Sequence, residues 1–570
     1  MDLDFQSFIS QLQNSLAAYV EPNFWPQFQA AYREKPLRAL RVNMLRAAAC
    51  TPDKLIGQAA DAVEKKDLRK AASDFLNNWP EFQNLKNLWR PVPWAQDGFY
   101  VPEEAADFIG KCQAYKLGLF YLQESSAMLP ANILSATAND KVADYCAAPG
   151  GKSGKIAADL SGSGCLISND ISLSRAKILL RNLNEAGVWH NSVLNADLEE
   201  LARLLPDYFD KIILDVPCSG EGMIRKDKKA LAARLAKDVN EFSRLQYRLL
   251  NLAWSTLKAG GRLVYSTCTF NVQENEAVIN EFLEKHKEAT ILPIKPEISQ
   301  AAGIRQAFAY AHNSALTAGL RVFPQDGYGE GHFAVLLQKN TGCNLDDSTE
   351  LSIGSKPVYA PFMTVVDLNK KNIISAKKRQ PAANLKLTRD SSLQLNYQQI
   401  TDLLQKFSTA YLSPELAAAY CQLWSRYPYF KLIGDSLEWL IDLPEIQPAG
   451  VKKQKEHKSL HVLSEGIWLG QIKAFKNGCK FVPSHNFALL LHSNQTVYEV
   501  KTTLADGIYD RILQGQSLTI DMIQPFYNQR NDLELKNSIY ALLTVEGYGA
   551  CWLQITADTV KSLYPRNWLQ

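Results

Sequence analysis

The sequence has none of the segments that mark a secreted or membrane protein. The 570-residue chain begins MDLDFQSF, without the basic stretch and apolar core of a signal peptide, and no apolar run is long enough to span a bilayer. Its ten cysteines are widely dispersed and form no Cys-x-x-Cys pair, which argues against a zinc ribbon and a disulfide scaffold. We therefore expect a cytoplasmic protein in a reducing compartment, with no membrane segment and no bound metal.

A strong charge of one sign is also missing. The net charge of +3 neither requires nor excludes a nucleic-acid partner, and it confines any basic surface to a local patch. Hydrophobic residues make up 46% and charged residues 21% of the chain, which are ordinary proportions for globular domains. The length predicts several domains, about three to five.

The two common phosphate-binding motifs are absent as well. The stretch Lys141–Lys155, KVADYCAAPGGKSGK, predicts a short strand, a sharp Gly/Pro turn and a helix. Gly151-Lys152-Ser153 fits the end of a P-loop, but Cys146 occupies the position of the first glycine, and Gly-x-Gly-x-x-Gly does not occur. The turn is either an ordinary surface connection or a place where a different ligand approaches the backbone near a helix N-terminus.

From Lys141 onward the chain alternates between strand and helix patterns. Such a series predicts an α/β fold with a Rossmann-like, mostly parallel sheet, whose ligands bind beyond the carboxyl ends of the strands. The predicted strands are Val142–Cys146, Cys165–Asp170, Ser192–Asp197, Lys211–Asp215 and Arg262–Cys268, and the predicted helices are Gly154–Leu160, Arg175–Ala186 and Glu241–Leu257.

A polar or sulfur-bearing residue ends each predicted strand: Cys146, Asp170, Asp197, Asp215 and Cys268. Any one aspartate could simply cap the following helix, but the full set indicates a shared ligand crevice. Asp170 is placed to accept hydrogen bonds from a ribose diol, and Asp197 to meet an adenine edge. A nucleoside cofactor without a phosphate requirement fits this set, and S-adenosylmethionine is such a cofactor.

Two cysteines indicate the chemistry on the substrate side. Cys218 lies in the glycine-rich loop after the fourth predicted strand, and Cys268 ends the fifth. Neighbouring strands would bring both thiols to one pocket. A buried cysteine is often only a small hydrophobic residue, but one at a strand end beside a ligand crevice is a candidate nucleophile.

These motifs together resemble the RsmB/NOP (Sun) family of RNA cytosine-C5 methyltransferases, which depend on S-adenosylmethionine. Besides the Asp170 strand end, the matching segments are CAAPGGK (146–152), DVPCSGEG (215–222), YSTCTF (265–270), RVNML (41–45), YLQESSAMLP (121–130), RVFPQ (321–325) and GEGHF (329–333). The resemblance implies a class I methyltransferase sheet. One departure is His332, where relatives more often carry an aromatic residue, and we expect it to change packing rather than catalysis.

The resemblance also implies a covalent mechanism. Cys268 would attack cytosine C6 so that C5 can take the methyl group, and Cys218 would help to release the product, as a general base. Asp215 would hydrogen-bond the cytosine edge, and Lys152 would favour the thiolate or hold the substrate. The target base must lie outside any stack. The implied cofactor-binding residues are Cys146, Ala147, Ala148, Pro149, Gly150, Gly151, Lys152, Asp170, Arg175, Asp197 and Asp215.

The flanking segments complete the predicted domain organisation. We divide the chain into a helical or mixed N-terminal RNA-binding domain (1–115), a methyltransferase domain (116–340), a linker (341–391), a middle domain (392–450) and a mixed α/β, PUA-like C-terminal domain (451–570). Within the first domain, Arg41 and Asn43 on a predicted strand are either solvated or contact an RNA backbone. FKLIGDSLEWLI (430–441) predicts a hairpin around Gly434-Asp435.

The C-terminal part bears on the substrate. GIWLGQIK (466–473), KFVPSHNFALLL (480–491) and EGYGACWLQ (546–554) resemble the tail of RsmF-type members, which methylate small-subunit ribosomal RNA, although they could also be plain packing modules. We expect methylation of 16S ribosomal RNA, within the 30S subunit, by a monomer (an EC 2.1.1 enzyme). The alternatives are a transfer-RNA cytosine-C5 methyltransferase and a non-catalytic RNA-binding assembly factor. Two thiols and Asp215 in one pocket argue against the last.

Overall fold

The computed structural model describes most of the chain in two packed units. The described residues are 3–47, 68–160, 164–225, 228–236, 238–341, 364–367, 372–375, 397–418, 420, 430–433, 436–440, 461–464, 466–475, 478–526, 538–556 and 559–566. The first unit holds the described residues up to 341 together with 461–464, and the second unit holds the others.

The first unit contains a small antiparallel sheet and a large mixed sheet. The small sheet has the order β2-β3-β1-β4 and consists of β1 (Ala39–Val42), β2 (Arg90–Pro91), β3 (Gly98–Tyr100) and β4 (Phe120–Leu122). The large sheet consists of β5 (Lys141–Tyr145), β6 (Cys165–Asn169), β7 (Asn191–Asn195), β8 (Phe209–Asp215), β9 (Leu257–Thr267), β10 (Ala289–Ile291), β11 (Arg305–Gln306), β12 (Leu320–Val322), β13 (His332–Lys339) and the late strand His461–Ser464.

The large sheet has the order β11-β12-β13-β9-β8-β5-β6-β7, with His461–Ser464 outside β7 and β10 paired to β13. Strands β9, β8, β5, β6 and β7 are parallel to one another, whereas β13 runs antiparallel to β9. A five-stranded parallel core with an antiparallel strand at one side is the arrangement typical of class I methyltransferases, so the expected α/β class is confirmed. The order reverses beside β5, where an open α/β sheet forms its ligand crevice.

Helices make the crossovers between the parallel strands, as the alternating pattern predicts. Each predicted strand and helix of this region is present, with ends moved by a few residues. The helices of the first unit are Leu3–Leu16, Phe24–Ala31, Met44–Ala47, Leu68–Asn78, Gln113–Lys116, Leu129–Leu134, Gly151–Leu160, Leu173–Glu185, Leu198–Leu204, Lys228–Leu235, Val239–Thr256, Glu276–Lys285 and Pro296–Ser299.

The hydrophobic core of the first unit lies on the central strands. It includes Val142, Leu166, Val193, Ile213 and Val264, all fully buried, one from each of the five parallel strands. Because both faces of these strands are covered, they read in the sequence as continuous apolar runs.

A second, aromatic cluster joins the two N-terminal helices to the sheet. The ring of Phe28 packs edge-on against Phe270, with centroids 5.3 Å apart, and Phe24 packs in the same way against Phe323, at 5.1 Å. The N-terminal helices thus pack against the loop that follows β9.

Arg41 and Asn43 differ from both sequence-based expectations. They are only 3% and 5% exposed. The Arg41 guanidinium donates to the Gly151 carbonyl (3.3 Å) and lies 3.9 Å from the Asp97 carboxylate, while Asn43 Nδ2 donates to the Ala186 carbonyl (2.7 Å). Solvation and contact with an RNA backbone are therefore both wrong for these two side chains, which instead join the small sheet to the helices beside the glycine turn.

The second unit is also mixed α/β. One four-stranded sheet contains Phe430–Ile433, Ser436–Leu440, Gly466–Phe475 and Gly478–Pro483, and another contains Glu499–Thr502, Ile539–Val545, Tyr548–Ile555 and Val560–Ser562. The first two strands form the antiparallel hairpin predicted around Gly434-Asp435. A further hairpin joins Thr364–Asp367 and Asn372–Ser375, and the rest of the predicted linker beyond residue 341 lies outside the described residues.

The helices of this second unit include Tyr397–Tyr411, His485–Leu489, Ile508–Leu513 and Ile520–Ile523. Within the described parts of both units, every helix is too short or too polar to cross a membrane.

Candidate active site

The predicted site residues follow the strands of the parallel core. Asp215 is the last residue of β8, whereas Cys146, Asp170 and Cys268 each come directly after a strand. The carboxyl ends of parallel strands face the same edge of the sheet, so these side chains share one crevice.

Asp215 lies in an ion pair at this edge. Its Oδ2 is 2.6 Å from Lys152 Nζ, and its Oδ1 accepts a hydrogen bond from Ser266 Oγ at 2.7 Å. Burial alone would raise the pKa of Asp215, but the Lys152 charge, the neighbouring His332 and the hydrogen bonds from Lys152 and Ser266 together outweigh it and hold the pKa below its usual value. Asp215 raises the pKa of Lys152 in turn, against the effect of burial. The site therefore presents a carboxylate and an ammonium group held together.

The two predicted thiols are in contact. Cys218 Sγ and Cys268 Sγ are 3.3 Å apart, and both residues are half-buried. The hydrogen bond to Cys268, together with burial, raises the pKa of Cys218 well above its usual value. The contact and the burial thus favour the thiol form of Cys218.

Two buried glutamates hold the cysteine loops, and the sequence reasoning missed both. Glu221 Oε2 accepts hydrogen bonds from the backbone N–H groups of Phe270 (2.7 Å) and Asn271 (2.9 Å), just after Cys268. In the opposite direction, Ser219 N, just after Cys218, donates to Glu274 Oε2 at 2.9 Å. Each loop is therefore fixed by a carboxylate from the other. Glu221 lies within the DVPCSGEG segment, and a glutamate in this glycine-rich loop is the sequence feature from which its role could have been predicted.

Gly222 lets the same loops approach closely. Its backbone N–H donates to the Cys268 carbonyl at 2.9 Å. A Cβ at this position would lie 3.1 Å from that oxygen and 3.0 Å from the Gly331 carbonyl, tighter than most carbon contacts. A side chain here would displace the backbone that carries the proposed nucleophile.

On the cofactor side, Asp170 and Arg175 are paired. The Arg175 guanidinium lies 3.4 Å from Asp170 Oδ2 and donates to the Ala148 carbonyl at 2.9 Å. The backbone N–H of Ala148 in turn donates to Asp170 at 3.3 Å. The turn between β5 and its helix consists of Cys146, Ala147, Ala148, Pro149 and Gly150, and the helix begins with Gly151 and Lys152.

Asp197 caps a helix, which is the alternative role that the sequence left open for each aspartate at a strand end. Its side chain accepts a hydrogen bond from Glu199 N and so caps the helix Leu198–Leu204. Contact with an adenine edge remains a prediction for this residue.

Two glycines beside the turn, Gly150 and Gly151, are required by packing as well as by the predicted approach of a ligand to the backbone. Gly150 has a φ of +111°, which disfavours other residues, and a Cβ there would lie 3.0 Å from Leu179. A Cβ on Gly151 would lie 2.9 Å from Tyr121 and 3.0 Å from Gln123. Both glycines are therefore required by the protein's own side chains.

The residues present fit a nucleoside cofactor. Beside the Asp170 carboxylate, the apolar side chains of Ile171 and Leu173 are 70% and 43% exposed. A carboxylate next to exposed apolar side chains suits a ligand with hydroxyl groups at one end and a flat ring at the other.

Comparison with known proteins agrees with this geometry. Residues 131–338 match the family described as 16S rRNA methyltransferase RsmB/F. Over these residues the chain is similar to the RsmB/F family. The RsmB/F match covers β5–β9 and β13, and with them Lys152, Asp215 and both cysteines of the site.

Two curated relatives of the chain carry the same name. The ribosomal RNA small subunit methyltransferase F of Erwinia tasmaniensis is 34% identical over 335 residues, covering 58% of this chain and 65% of that protein. The protein of the same name from Escherichia coli O1:K1 is 35% identical over 312 residues, covering 54% and 61%. The matched part therefore spans less than two thirds of the length of these relatives.

Two solved structures from Pyrococcus horikoshii align with the chain. One is described as a methyltransferase homologue and gives a TM-score of 0.43 at 26% identity, over 58% of this chain and 99% of that one. The other, NSun6 with SFG, gives a TM-score of 0.43 at 19% identity, over 59% and 98%. The fold assignment of the RsmB/F region rests on its strand order and not on these alignments.

Proposed function

We propose that this chain methylates C5 of a cytosine in small-subunit (16S) ribosomal RNA, with S-adenosylmethionine as the methyl donor. The observation that carries the proposal is the contact between Cys218 and Cys268, 3.3 Å apart, at the strand ends that also present Asp215 and Lys152. Cytosine C5 becomes nucleophilic only after a thiolate adds to C6, so a reactive thiol is the group this reaction needs. The relatives named for small-subunit ribosomal RNA support the choice of RNA.

The cofactor would bind at the turn after β5. Asp170 would accept hydrogen bonds from its ribose, Ile171 would lie against its base, and Arg175 would border the same pocket. When bound, S-adenosylmethionine supplies an electrophilic methyl group on a positively charged sulfur.

Cys268 begins the reaction on the RNA. Its sulfur uses an electron pair to form a bond to cytosine C6, and the C5–C6 double-bond electrons become available at C5. Asp215 accepts hydrogen bonds from the donor groups of the cytosine edge, including the proton that N3 takes up in the adduct. The Ser266 hydroxyl and Lys152 keep this carboxylate in place and ionised, so the site needs little reorganisation.

Cys218 would act after C5 has used that electron pair to bond the methyl group, with the electrons of the broken methyl–sulfur bond staying on the cofactor. Its raised pKa depends first on the hydrogen bond to Cys268, and that sulfur loses its charge once it is bound to C6. Cys218 can then release its proton to solvent and, as a thiolate, remove the proton from C5. The electrons of the C5–H bond restore the C5–C6 double bond, the C6–S bond breaks, and Cys268 leaves as a thiolate.

The flanking parts of the chain would serve the RNA. We propose the domain division given above, with residues 1–115 contacting RNA next to the catalytic domain and a PUA-like fold for 451–570, apart from the strand His461–Ser464, which pairs with β7. The mixed sheets of the second unit are compatible with such a fold. A cytoplasmic monomer acting on the 30S subunit completes the proposal.

The test uses RNA from a strain that lacks this gene. Purified protein and methyl-labelled S-adenosylmethionine are added to 30S subunits, naked ribosomal RNA or transfer RNA, and the labelled nucleosides are separated. Label in 5-methylcytidine of small-subunit RNA supports the proposal, and the better of the two ribosomal substrates identifies the natural one. Label in transfer RNA alone, or no label on any RNA with cofactor still bound, would overturn it.

A further inference from the structure

His332 is a buried residue at the centre of the site to which the mechanism above gives no role. It begins β13 and pairs with Val322 of β12. The next residue, Phe333, pairs with Thr267 of β9, and Cys268 follows Thr267. In this antiparallel pairing His332 and Cys268 therefore lie side by side, one step beyond the last paired residues.

The imidazole of His332 lies near Asp215 and the Gly331 backbone but makes no hydrogen bond of normal geometry to either. The residue is 3% exposed, and neither ring nitrogen makes a hydrogen bond to any part of the protein that the structure describes. Its Nε2 lies 3.7 Å from Asp215 Oδ1, too far for a hydrogen bond. Burial lowers the pKa of His332 to about 4, although Asp215 opposes this effect. The ring is thus neutral at physiological pH, with one donor and one acceptor unused.

Buried polar groups without partners are uncommon because desolvation costs free energy that no bond offsets. The position of the His332 ring indicates which partner its nitrogens could have. The unused nitrogens lie beside the carboxylate that would hold the cytosine edge and beside the strand end that carries the proposed nucleophile. A ligand entering this pocket is the natural partner.

We propose that His332 contacts the target base and donates a hydrogen bond to the O2 oxygen of cytosine. This inference rests on the proposed function. The cytosine edge presents donors at its amino group and at protonated N3, which suit the Asp215 carboxylate, and an acceptor at O2, which a carboxylate cannot bind. The neutral imidazole supplies a hydrogen-bond donor for O2. The expectation that His332 affects packing alone is thereby replaced.

The experiment combines a change in the enzyme with a change in the base. The substrates are two RNAs that carry either cytidine or 2-thiocytidine at the methylated position, because sulfur is a poorer acceptor than oxygen. The enzymes are the parent, His332→Phe, which keeps a flat ring without a donor, and His332→Gln, which keeps a donor. Affinity for S-adenosylmethionine, measured by calorimetry, is the folding control and should be the same in all three.

If His332 binds O2, each single change lowers kcat/KM by about tenfold, mainly through KM, as expected for the loss of one hydrogen bond. The two changes together should cost little more than either alone, since they remove the same bond. His332→Gln should recover part of the loss with cytidine. Multiplied losses, or a parent that is indifferent to the sulfur, would overturn the inference while leaving the proposed function intact. A parent that methylates neither RNA would overturn both.

If His332→Phe fails to bind the cofactor, the comparison of the parent with His332→Gln still decides. The effect of the sulfur should be smaller in His332→Gln, where the donor is misplaced, than in the parent. Equal effects would contradict a contact with O2.

Discussion

The sulfur atoms of Cys218 and Cys268 lie 3.3 Å apart, although 50 positions separate the two residues in the chain. They meet because β8 and β9 are neighbouring parallel strands, so the loops that leave their carboxyl ends share one crevice. The two thiols are not equivalent. Burial and the contact with Cys268 raise the pKa of Cys218 well above its usual value, so Cys218 is suited to stay protonated until Cys268 has reacted, as the proposed mechanism requires.

Replacing Cys268 by alanine should abolish methyl transfer, by on the order of 10³-fold or more, since it removes the thiol that would attack C6. Binding of S-adenosylmethionine should be unchanged because the cofactor residues follow other strands. Initial rates with labelled cofactor and calorimetric affinity measure the two quantities. Retained turnover would remove Cys268 from the role of nucleophile.

Cys218→Ser should block release of the product rather than the attack on C6. Cys268 can still attack C6, but the poorly acidic hydroxyl cannot take the C5 proton, so the enzyme remains bonded to methylated RNA. Denaturing gel electrophoresis should reveal a protein–RNA band that forms only with cofactor present. Cys112→Ser, at a buried thiol outside the crevice, is the matched control and should give no such band. Free release of RNA by Cys218→Ser would rule out the assigned role.

Asp215→Asn tests the carboxylate at the base edge. An amide keeps the shape of the side chain but carries no charge to stabilise the protonated adduct, so kcat should fall by about 10²- to 10³-fold. In this variant Lys152 loses its ion-pair partner, which is 2.6 Å away in the parent. The separate variant Lys152→Met should bind cofactor or RNA less well than the parent. Single-turnover rates at saturating RNA isolate the chemical step. A variant that loses affinity for RNA but keeps its rate would assign Asp215 to binding alone.

The parallel core and its crevice could be predicted from the sequence because both depend on local patterns. Apolar runs that end in Asp or Cys indicate buried strands and also which of their ends carries function. The structure moves the strand ends so that Cys146, Asp170 and Cys268 lie just beyond them, within the error expected for element boundaries.

The remaining features depend on contacts between distant segments, which a local pattern does not carry. Arg41 looks like a surface residue on a short strand, but the Gly151 carbonyl and Asp97 surround it. Glu221 looks like part of a glycine-rich loop, although its partners follow Cys268 about 50 residues later. His332 could be recognised as unusual, but its unused nitrogens become visible only with its neighbours in place.

Glu221→Gln should impair both folding and the site. The parent carboxylate is fully buried, accepts four backbone or side-chain hydrogen bonds from the loop after Cys268, and pairs with Arg234 at 2.8 Å. The neutral amide leaves Arg234 buried without its counter-charge, which typically costs about 3–5 kcal/mol of stability. Chemical denaturation of parent and variant measures this cost. Glu199→Gln, at the exposed ion pair with Arg248, is the control and should change stability little.

Asp144 in β5 should make stability depend on pH. The residue is fully buried with one hydrogen bond, from Ser153 Oγ at 2.6 Å, and burial raises its pKa from 3.8 to about 7. A carboxyl with a raised folded pKa is ionised more easily in the unfolded chain, so the free energy of unfolding falls as pH rises from about 4 to about 7. At 1.36 kcal/mol per pH unit the total loss is about 4 kcal/mol.

Asp144→Asn cannot ionise and should escape this loss. Its unfolding free energy minus that of the parent, measured by denaturant titration at several pH values, should be near zero at pH 4. The difference should rise by about 4 kcal/mol and level off above pH 7. Taking the difference cancels the titration of groups that both proteins share. A difference that stays constant across this range would mean that Asp144 is ionised in the folded protein, with the nearby Lys152 charge outweighing its burial.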